Sequence, residues 1–243
     1  MYSGHQELLE LQGHTTLITG ATGGFGLGLV NAYLGQGQRV VALGRSAKAL
    51  NSLQEMGAET AQVDMNDSGA LKTFCKSSIA FDNVVISHGI DGARPMRMLT
   101  AEYSLNVIQT NLLSTLDLLS NLLRSKKINS PGRIILISSI SAHMGASTAI
   151  PYAASKAGME AAMRGLARDL LHKGITVNCI APAGIKTPLF KDVQSPVLDE
   201  KNYPLGLGEV GDVSNASLFL SLKGSKYITG ETIVLDGGCT WLF

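Results

Sequence analysis

Residues 15–34 read Thr15-Thr16-Leu17-Ile18-Thr19-Gly20-Ala21-Thr22-Gly23-Gly24-Phe25-Gly26-Leu27-Gly28-Leu29-Val30-Asn31-Ala32-Tyr33-Leu34. A short β-rich run passes into a cluster of glycines and then into a segment of helical character. Glycines between a buried strand and a helix let backbone approach a pyrophosphate, whose charge is favoured at the helix N-terminus. A glycine-rich turn by itself fits a plain tight loop equally well. Its position after the first strand and before a helix favours a dinucleotide site built on Gly20, Thr22, Gly24, Phe25 and Gly26.

Working outward, similar runs recur: 39–43, 60–64, 82–86, 133–137, 175–180 and 231–235. Most are continuous apolar runs rather than alternating ones, as expected of strands buried on both faces of a parallel sheet. Helical segments lie between them. In one, Leu105, Ile108, Leu112, Leu116, Leu119 and Leu123 step by three or four residues and predict a single apolar stripe. The fold class is α/β: one doubly wound Rossmann domain spanning 1–243, with a seven-stranded parallel sheet flanked by helices. One stretch, about 182–204, shows no clear strand and carries Pro188 and Pro196. A loop that long in a compact domain predicts a substrate lid or a disordered flap.

Composition narrows the function. Of 243 residues 45% are hydrophobic, enough for a core, and the net charge is +1. That balance argues against nucleic acid as the main partner, because phosphate neutralisation needs clustered Lys and Arg. No run approaches the roughly 18 apolar residues of a membrane span. The first residues, Met1 to Glu7, lack the pattern of a secretory signal. A soluble, cytoplasmic protein is expected. Cys75, Cys179 and Cys239 are too few and too far apart for a disulfide framework, and the five histidines show no zinc spacing, so no metal is implied. Only 16% of residues are charged, a low share for a soluble domain.

The end of the second strand bears on which dinucleotide binds. A free ribose 2′-hydroxyl calls for Asp or Glu there, and a 2′-phosphate for Arg. The sequence is Leu43-Gly44-Arg45-Ser46-Ala47-Lys48, with no acid between Arg39 and Asn51. Arg45 with Ser46 as a second donor favours NADP(H) over NAD(H). The plainer reading of Arg45 is a solvated surface residue. Asp64, after the third strand, either contacts adenine or caps the next helix.

Ser138-Ser139 closes the fifth strand, and Tyr152-Ala153-Ala154-Ser155-Lys156 opens a helix. Tyr152 and Lys156, four apart, share a helix face. Tyrosine is a poor acid–base at its ordinary pKa near 10. An ammonium at about 4 Å favours the phenolate by up to about 4 kcal/mol before desolvation, so Lys156 is expected to lower the Tyr152 pKa. The Tyr-x-x-x-Lys pattern alone is most often a surface pair. The serine at a strand's carboxyl end, where open α/β sheets bind ligands, gives it weight.

Taken together, these residues resemble the short-chain dehydrogenase/reductase family, and within it the 3-oxoacyl-carrier-protein reductases. The resemblance runs from about Leu11 to Phe243. It rests on the turn from Thr19 to Gly26, Asp64, Asn111, Ser139, Tyr152, Lys156, and Tyr227-Ile228-Thr229-Gly230 leading to Asp236-Gly237-Gly238. It implies that Tyr152 passes a proton to a substrate carbonyl as nicotinamide delivers hydride, with Ser139 bonding that oxygen. Lys156 would lower the tyrosine pKa and hold the nicotinamide ribose, and Asn111 would support a water chain. The cofactor wall would include Asp64, Met65, Ser87, His88, Gly89, Pro182, Ile185 and Thr187. Two departures stand out: Ile86-Ser87-His88-Gly89 replaces the family's Asn-Asn-Ala-Gly, and Pro182-Ala183-Gly184 replaces its Pro-Gly.

The expected substrate is a small carbonyl or alcohol, thioester-linked if the carrier-protein likeness holds. Leu189, Phe190, Val193, Val197 and Leu198 would give the loop an apolar inner face or merely anchor it. Lys191, Asp192, Asp199, Glu200 and Lys201 lie beside them. Arg124, Lys126, Lys127 and Lys173 offer a basic patch for an acidic carrier protein, although Ser130-Pro131 stands where such reductases tend to be basic. A non-catalytic dinucleotide-binding sensor or scaffold is the alternative, disfavoured by the intact Ser139, Tyr152, Lys156 and Asn111. The small residues of 157–167 and the leucine-rich helix, with the low charge, predict a homotetramer or homodimer.

Overall fold

The computed structural model describes residues 11–187 and 200–242. All seven predicted strands form: β1 (Thr15–Thr19), β2 (Arg39–Gly44), β3 (Glu59–Gln62), β4 (Phe81–Ile86), β5 (Ile128–Ile137), β6 (Ile175–Pro182) and β9 (Thr232–Leu235). They pair in parallel in the order β3-β2-β1-β4-β5-β6-β9. The order reverses between β1 and β4, which opens a crevice at their carboxyl ends beside Gly20 and Ser87, where open α/β sheets take ligands.

Alternate residues of the buried strands face two separate cores. Leu17, Val84, Ile134 and Val177 pack under the helices α3 (Ser68–Ser77), α5 (Ser114–Arg124) and α7 (Ile150–Leu170). Ile18, Val85, Ile135 and Ile180 pack under α1 (Gly24–Gly35), α2 (Ala47–Glu55) and α8 (Val210–Ser221). Both faces being covered explains why the strands read as apolar runs without alternation.

Two expectations change. The leucine stripe does not form one continuous face. The helix α4 (Ala101–Ile108) passes through a π turn at Gln109–Leu113 before α5 begins. The wider turn rotates everything after it relative to a 3.6-residue repeat. Leu105 is therefore 68% exposed, while the core takes Val107, Leu118, Leu119 and Leu122. Second, the stretch predicted to lack strands holds β7 (Ile185–Lys186), paired with β8 (Gly208–Glu209). Glu200 there pairs with Lys186 at 2.8 Å. The other loop residues singled out from sequence, from Pro188 to Asp199, lie outside the described residues, as does Phe243.

Among the described residues no helix is long and apolar enough to cross a membrane, and no cluster of His, Cys, Asp and Glu suits a metal ion. The three cysteines are free and buried.

Candidate active site

The glycine turn is dictated by close approaches. Gly20 has φ +61°, and a Cβ there would lie 2.6 Å from the His88 Cα. A Cβ on Gly26 would lie 2.1 Å from the Gly20 carbonyl oxygen. The turn ends in α1, whose N-cap, Gly23, has no side chain to satisfy the first amides. Gly20 and Thr22 share an open cleft with Arg45, Asp64, Met65, Ser87, His88 and Gly89. Thr187, from just beyond β7, stands against the turn: a Cβ on Gly24 would be 3.1 Å from its own Cβ. Ile185 is buried, Phe25 in the first turn of α1 is half-buried against the core, and Pro182 accepts a 3.0 Å bond from the Ile140 amide.

At the far end of the cleft the Arg45 side chain is exposed and has no carboxylate partner among the described residues; its main-chain carbonyl accepts from Gln62 Nε2 at 2.9 Å. Ser46 caps α2, accepting from the Ala49 amide at 3.3 Å, which leaves its own proton to donate. Asp64 does not cap a helix. It accepts from the Asn66 amide at 3.0 Å, while Asp67 caps α3.

His88 fills the space between β1 and the π turn. Its Nδ1 is 2.7 Å from Thr19 Oγ1, and its Nε2 is 2.9 Å from Ser114 Oγ. Ser114 donates its proton to the Thr110 carbonyl, so its oxygen accepts from His88. Thr19 accepts from the Ser87 amide and donates to Nδ1. These partners assign the neutral tautomer with the proton on Nε2. Burial first, and the Lys156 charge second, push the His88 pKa down to about 3. The imidazole is thus a neutral strut in the wall of the cleft.

The π turn explains Asn111. The side chain is completely buried, accepts from the Ile90 amide at 2.7 Å, and donates to the Ile90 carbonyl and to Ser155 Oγ, both at 3.0 Å. Ser155 in turn donates to the Tyr152 carbonyl at 2.7 Å. Asn111 therefore joins the loop after β4 to the first turn of α7. Neither Ser155 nor Ile90 was singled out from sequence, because a serine inside Tyr-x-x-x-Lys and an isoleucine after a glycine carry no signal of their own.

Ser139 sits at the end of β5, accepting from the Ser141 amide at 3.2 Å. The half-buried Tyr152 stands in the first turn of α7. Burial pushes its pKa up to about 12; the neighbouring Ser139 hydroxyl pulls it down in part, and the Asp91 carboxylate adds to the rise. This reverses the expected lowering by Lys156. The ammonium lies 5.7 Å from the Tyr152 ring centroid and donates to the Ile137 carbonyl at 2.7 Å. Lys156 is buried, and its own pKa falls to about 8 for that reason. Desolvation, which spacing alone does not disclose, outweighs the attraction.

The basic patch is reduced by local bonding. Lys127 Nζ is held by the Ser78 carbonyl, whereas Arg124, Lys126 and Lys173 are exposed. Ser130 donates its hydroxyl to the Lys173 carbonyl.

The comparisons with known proteins agree with this geometry. The family model described as enoyl-(acyl carrier protein) reductase matches residues 20–240. The 3-oxoacyl-(acyl-carrier-protein) reductase FabG of Chlamydia pneumoniae is 32% identical over 246 residues, covering 96% of this chain and 99% of the relative. A short-chain dehydrogenase/reductase from Brucella melitensis superposes with a TM-score of 0.89 at 25% identity, covering 95% and 98% of the two chains. BdcA, solved in complex with NADPH, superposes at 0.85 with 27% identity, covering 93% and 94%. With a family match over most of its length and a relative aligned almost end to end, the chain belongs to the short-chain dehydrogenase/reductase family.

Proposed function

We propose that the protein uses NADPH to reduce a carbonyl group to a secondary alcohol, and that its substrate is a 3-oxoacyl thioester. The observation that carries this reading is that Lys156 Nζ lies 5.7 Å from the Tyr152 ring, with Ser139 beside that phenol, and that Gly89 of the cleft wall stands against both Asn111 and Lys156. The cleft fits the cofactor. Ser87 Oγ in its wall and Thr187 Oγ1 against the glycine turn are buried without a partner, and the turn keeps open the space that side chains would fill. The turn from Gly20 to Gly26 would hold the pyrophosphate, Arg45 and Ser46 the 2′-phosphate, Asp64 and Met65 the adenine side. Ile185 and Thr187 would hold the carboxamide, and Lys156 the nicotinamide ribose. When bound, the dinucleotide supplies the hydride.

The protein's own residues manage the proton. Tyr152 stays protonated at neutral pH because burial holds its pKa high, which suits a general acid facing a carbonyl oxygen. Ser139 accepts from the Ser141 amide, so its hydroxyl proton is available to the same oxygen. Asn111 has its amide engaged with Ile90 and Ser155. A water chain at this residue would have to start from its main-chain carbonyl, which accepts from Thr115 Oγ1 at 3.0 Å.

The relatives' name supports the thioester. The family model is described by enoyl reduction, yet a hydroxyl and a protonated phenol placed together serve a carbonyl oxygen rather than a carbon–carbon double bond. NADPH consumption with paired 3-oxoacyl and 2-enoyl thioesters, plus steroids, sugars and small ketones, tests the reading. Turnover of the 3-oxoacyl compound is expected, and preference for the enoyl compound or for none overturns it. We also read 1–243 as one catalytic domain with 182–204 as its substrate-facing stretch, because Pro182 bonds Ile140 and Tyr203 packs on it. The exposed Leu105 and Leu113, with exposed Ala154, Ala157 and Ala161 on α7, support a homotetramer or homodimer. Three buried free thiols accord with a cytoplasmic setting. Sedimentation as a monomer at micromolar concentration would refute the assembly.

A further inference from the structure

We propose that Glu160 is a positioning residue that sets the Ser139 hydroxyl against Tyr152. The proposal rests on Ser139 being the group that bonds the substrate oxygen.

Tyr152, Lys156 and Glu160 recur every fourth residue and so share one face of α7. Glu160 is only 5% exposed. One of its oxygens, Oε1, accepts from Ser138 Oγ at 2.7 Å and lies 3.1 Å from His143 Nε2. Ser138 immediately precedes Ser139 on β5. His143 follows Ser139 on the short helix α6 (Ser141–Met144). A single carboxylate oxygen therefore ties both flanks of Ser139 to the helix that carries the acid.

The segment needs such a tie. A helix of four residues cannot hold its own shape, and α6 gives way at Gly145, φ +71°. The Ser139 side chain accepts from the Ser141 amide within that same segment and stands beside the Tyr152 phenol. The main chain on either side of Ser139 is pinned to β6, by the Ser138 amide on the Ile180 carbonyl and the Ile140 amide on the Pro182 carbonyl, and the Glu160 carboxylate adds the side-chain tie to α7. Burying a carboxylate here is costly compared with an apolar side chain, unless the bonds it makes do something an apolar residue cannot. Holding a reacting hydroxyl to within a fraction of an ångström is such a role, because a misplacement of about 1 Å costs on the order of 100-fold in rate.

The test is steady-state kinetics with NADPH and the fastest carbonyl substrate of the panel above, with NADPH affinity followed separately by fluorescence. Glu160→Ala should lower kcat by about 10- to 100-fold. KM and the NADPH Kd should stay within about threefold, since neither pocket is touched. Glu160→Gln, which keeps an acceptor oxygen for Ser138, should recover most of the loss. In a Ser139→Ala background, Glu160→Ala should cost almost nothing more, because it acts through a group already removed. Additive losses, or an unchanged kcat for Glu160→Ala beside a slow Ser139→Ala, overturn the proposal. A Ser139→Ala variant as fast as the wild type sinks the reading of Ser139, and the role of Glu160 with it. If Glu160→Ala does not fold, Ser138→Ala and His143→Ala each remove one bond from the opposite side and must show the same pattern. A crystal structure of Glu160→Gln with 139–144 unmoved and Glu160→Ala with it displaced completes the support.

Discussion

Lys156 Nζ points to the Ile137 carbonyl, 2.7 Å away, and stands 5.7 Å from the ring centroid of Tyr152. The lysine is near the phenol without being bonded to it, and burial leaves the phenol with a pKa of about 12. Ultraviolet titration of the cofactor-free protein should then show no ionisation of Tyr152 at or below about pH 10, the ordinary tyrosine range. The signal is the difference between wild type and Tyr152→Phe. Removing the phenol should also reduce the catalysed rate by about 100- to 10,000-fold. An early phenolate in the difference titration would restore the simple ion-pair picture.

Lys156 itself is held at a cost. Its folded pKa is about 8 against an ordinary 10.5, with burial as the main cause. Between those values the unfolded chain binds more protons than the folded one, so stability rises with pH across pH 8–10.5; below pH 8 the penalty is fully present. The difference corresponds to at most about 3 kcal/mol. Lys156→Met should abolish that rise and stabilise the cofactor-free protein at pH 7 by about 1–3 kcal/mol while removing activity. Urea midpoints at pH 7 and pH 9.5 measure it, and a destabilised methionine variant would show that the Ile137 bond outweighs the desolvation.

His88 acts in the acid range. Its folded pKa is about 3, and the unfolded chain takes up the proton near the ordinary histidine value of 6.5. Stability is therefore complete above pH 6.5 and falls as the pH drops toward 3, by up to about 1.4 kcal/mol per pH unit from this one group. His88→Gln keeps a donor and an acceptor but has no such titration. Its urea midpoint should fall less steeply between pH 6 and pH 4 than that of the wild type. Parallel slopes would mean that other groups govern acid unfolding.

The parts visible from sequence and the parts hidden from it separate along physical lines. Runs such as Val84-Val85-Ile86 announce buried parallel strands because both faces are covered, so all seven were found. That Tyr152 and Lys156 share one face is legible too, because helical spacing fixes it. The π turn at Gln109–Leu113 was not, since its residues are ordinary helix formers and the widening is set by where Asn111 bonds to Ile90. Glu160 was hidden as well: its partners, Ser138 and His143, lie 22 and 17 residues away in sequence. The Tyr152 pKa went the wrong way because a charge partner can be read from spacing and desolvation cannot.

Under the proposed function, Arg45 would decide between the two dinucleotides. Its main-chain carbonyl is fixed by Gln62, its side chain is exposed at the rim of the cleft, and no carboxylate among the described residues neutralises it. A free guanidinium beside the Ser46 hydroxyl suits a doubly charged phosphate and gains nothing from a ribose hydroxyl. Arg45→Asp puts a carboxylate where the phosphate would sit, adding repulsion to the lost attraction. NADPH binding should weaken by at least about 100-fold, corresponding to roughly 3 kcal/mol, whereas NADH binding should change by no more than about threefold. Fluorescence titration with both dinucleotides gives the ratio directly. Equal weakening of the two would mean that Arg45 supports the fold of the rim instead of reading the phosphate, and the choice of NADPH would lose its basis in this chain.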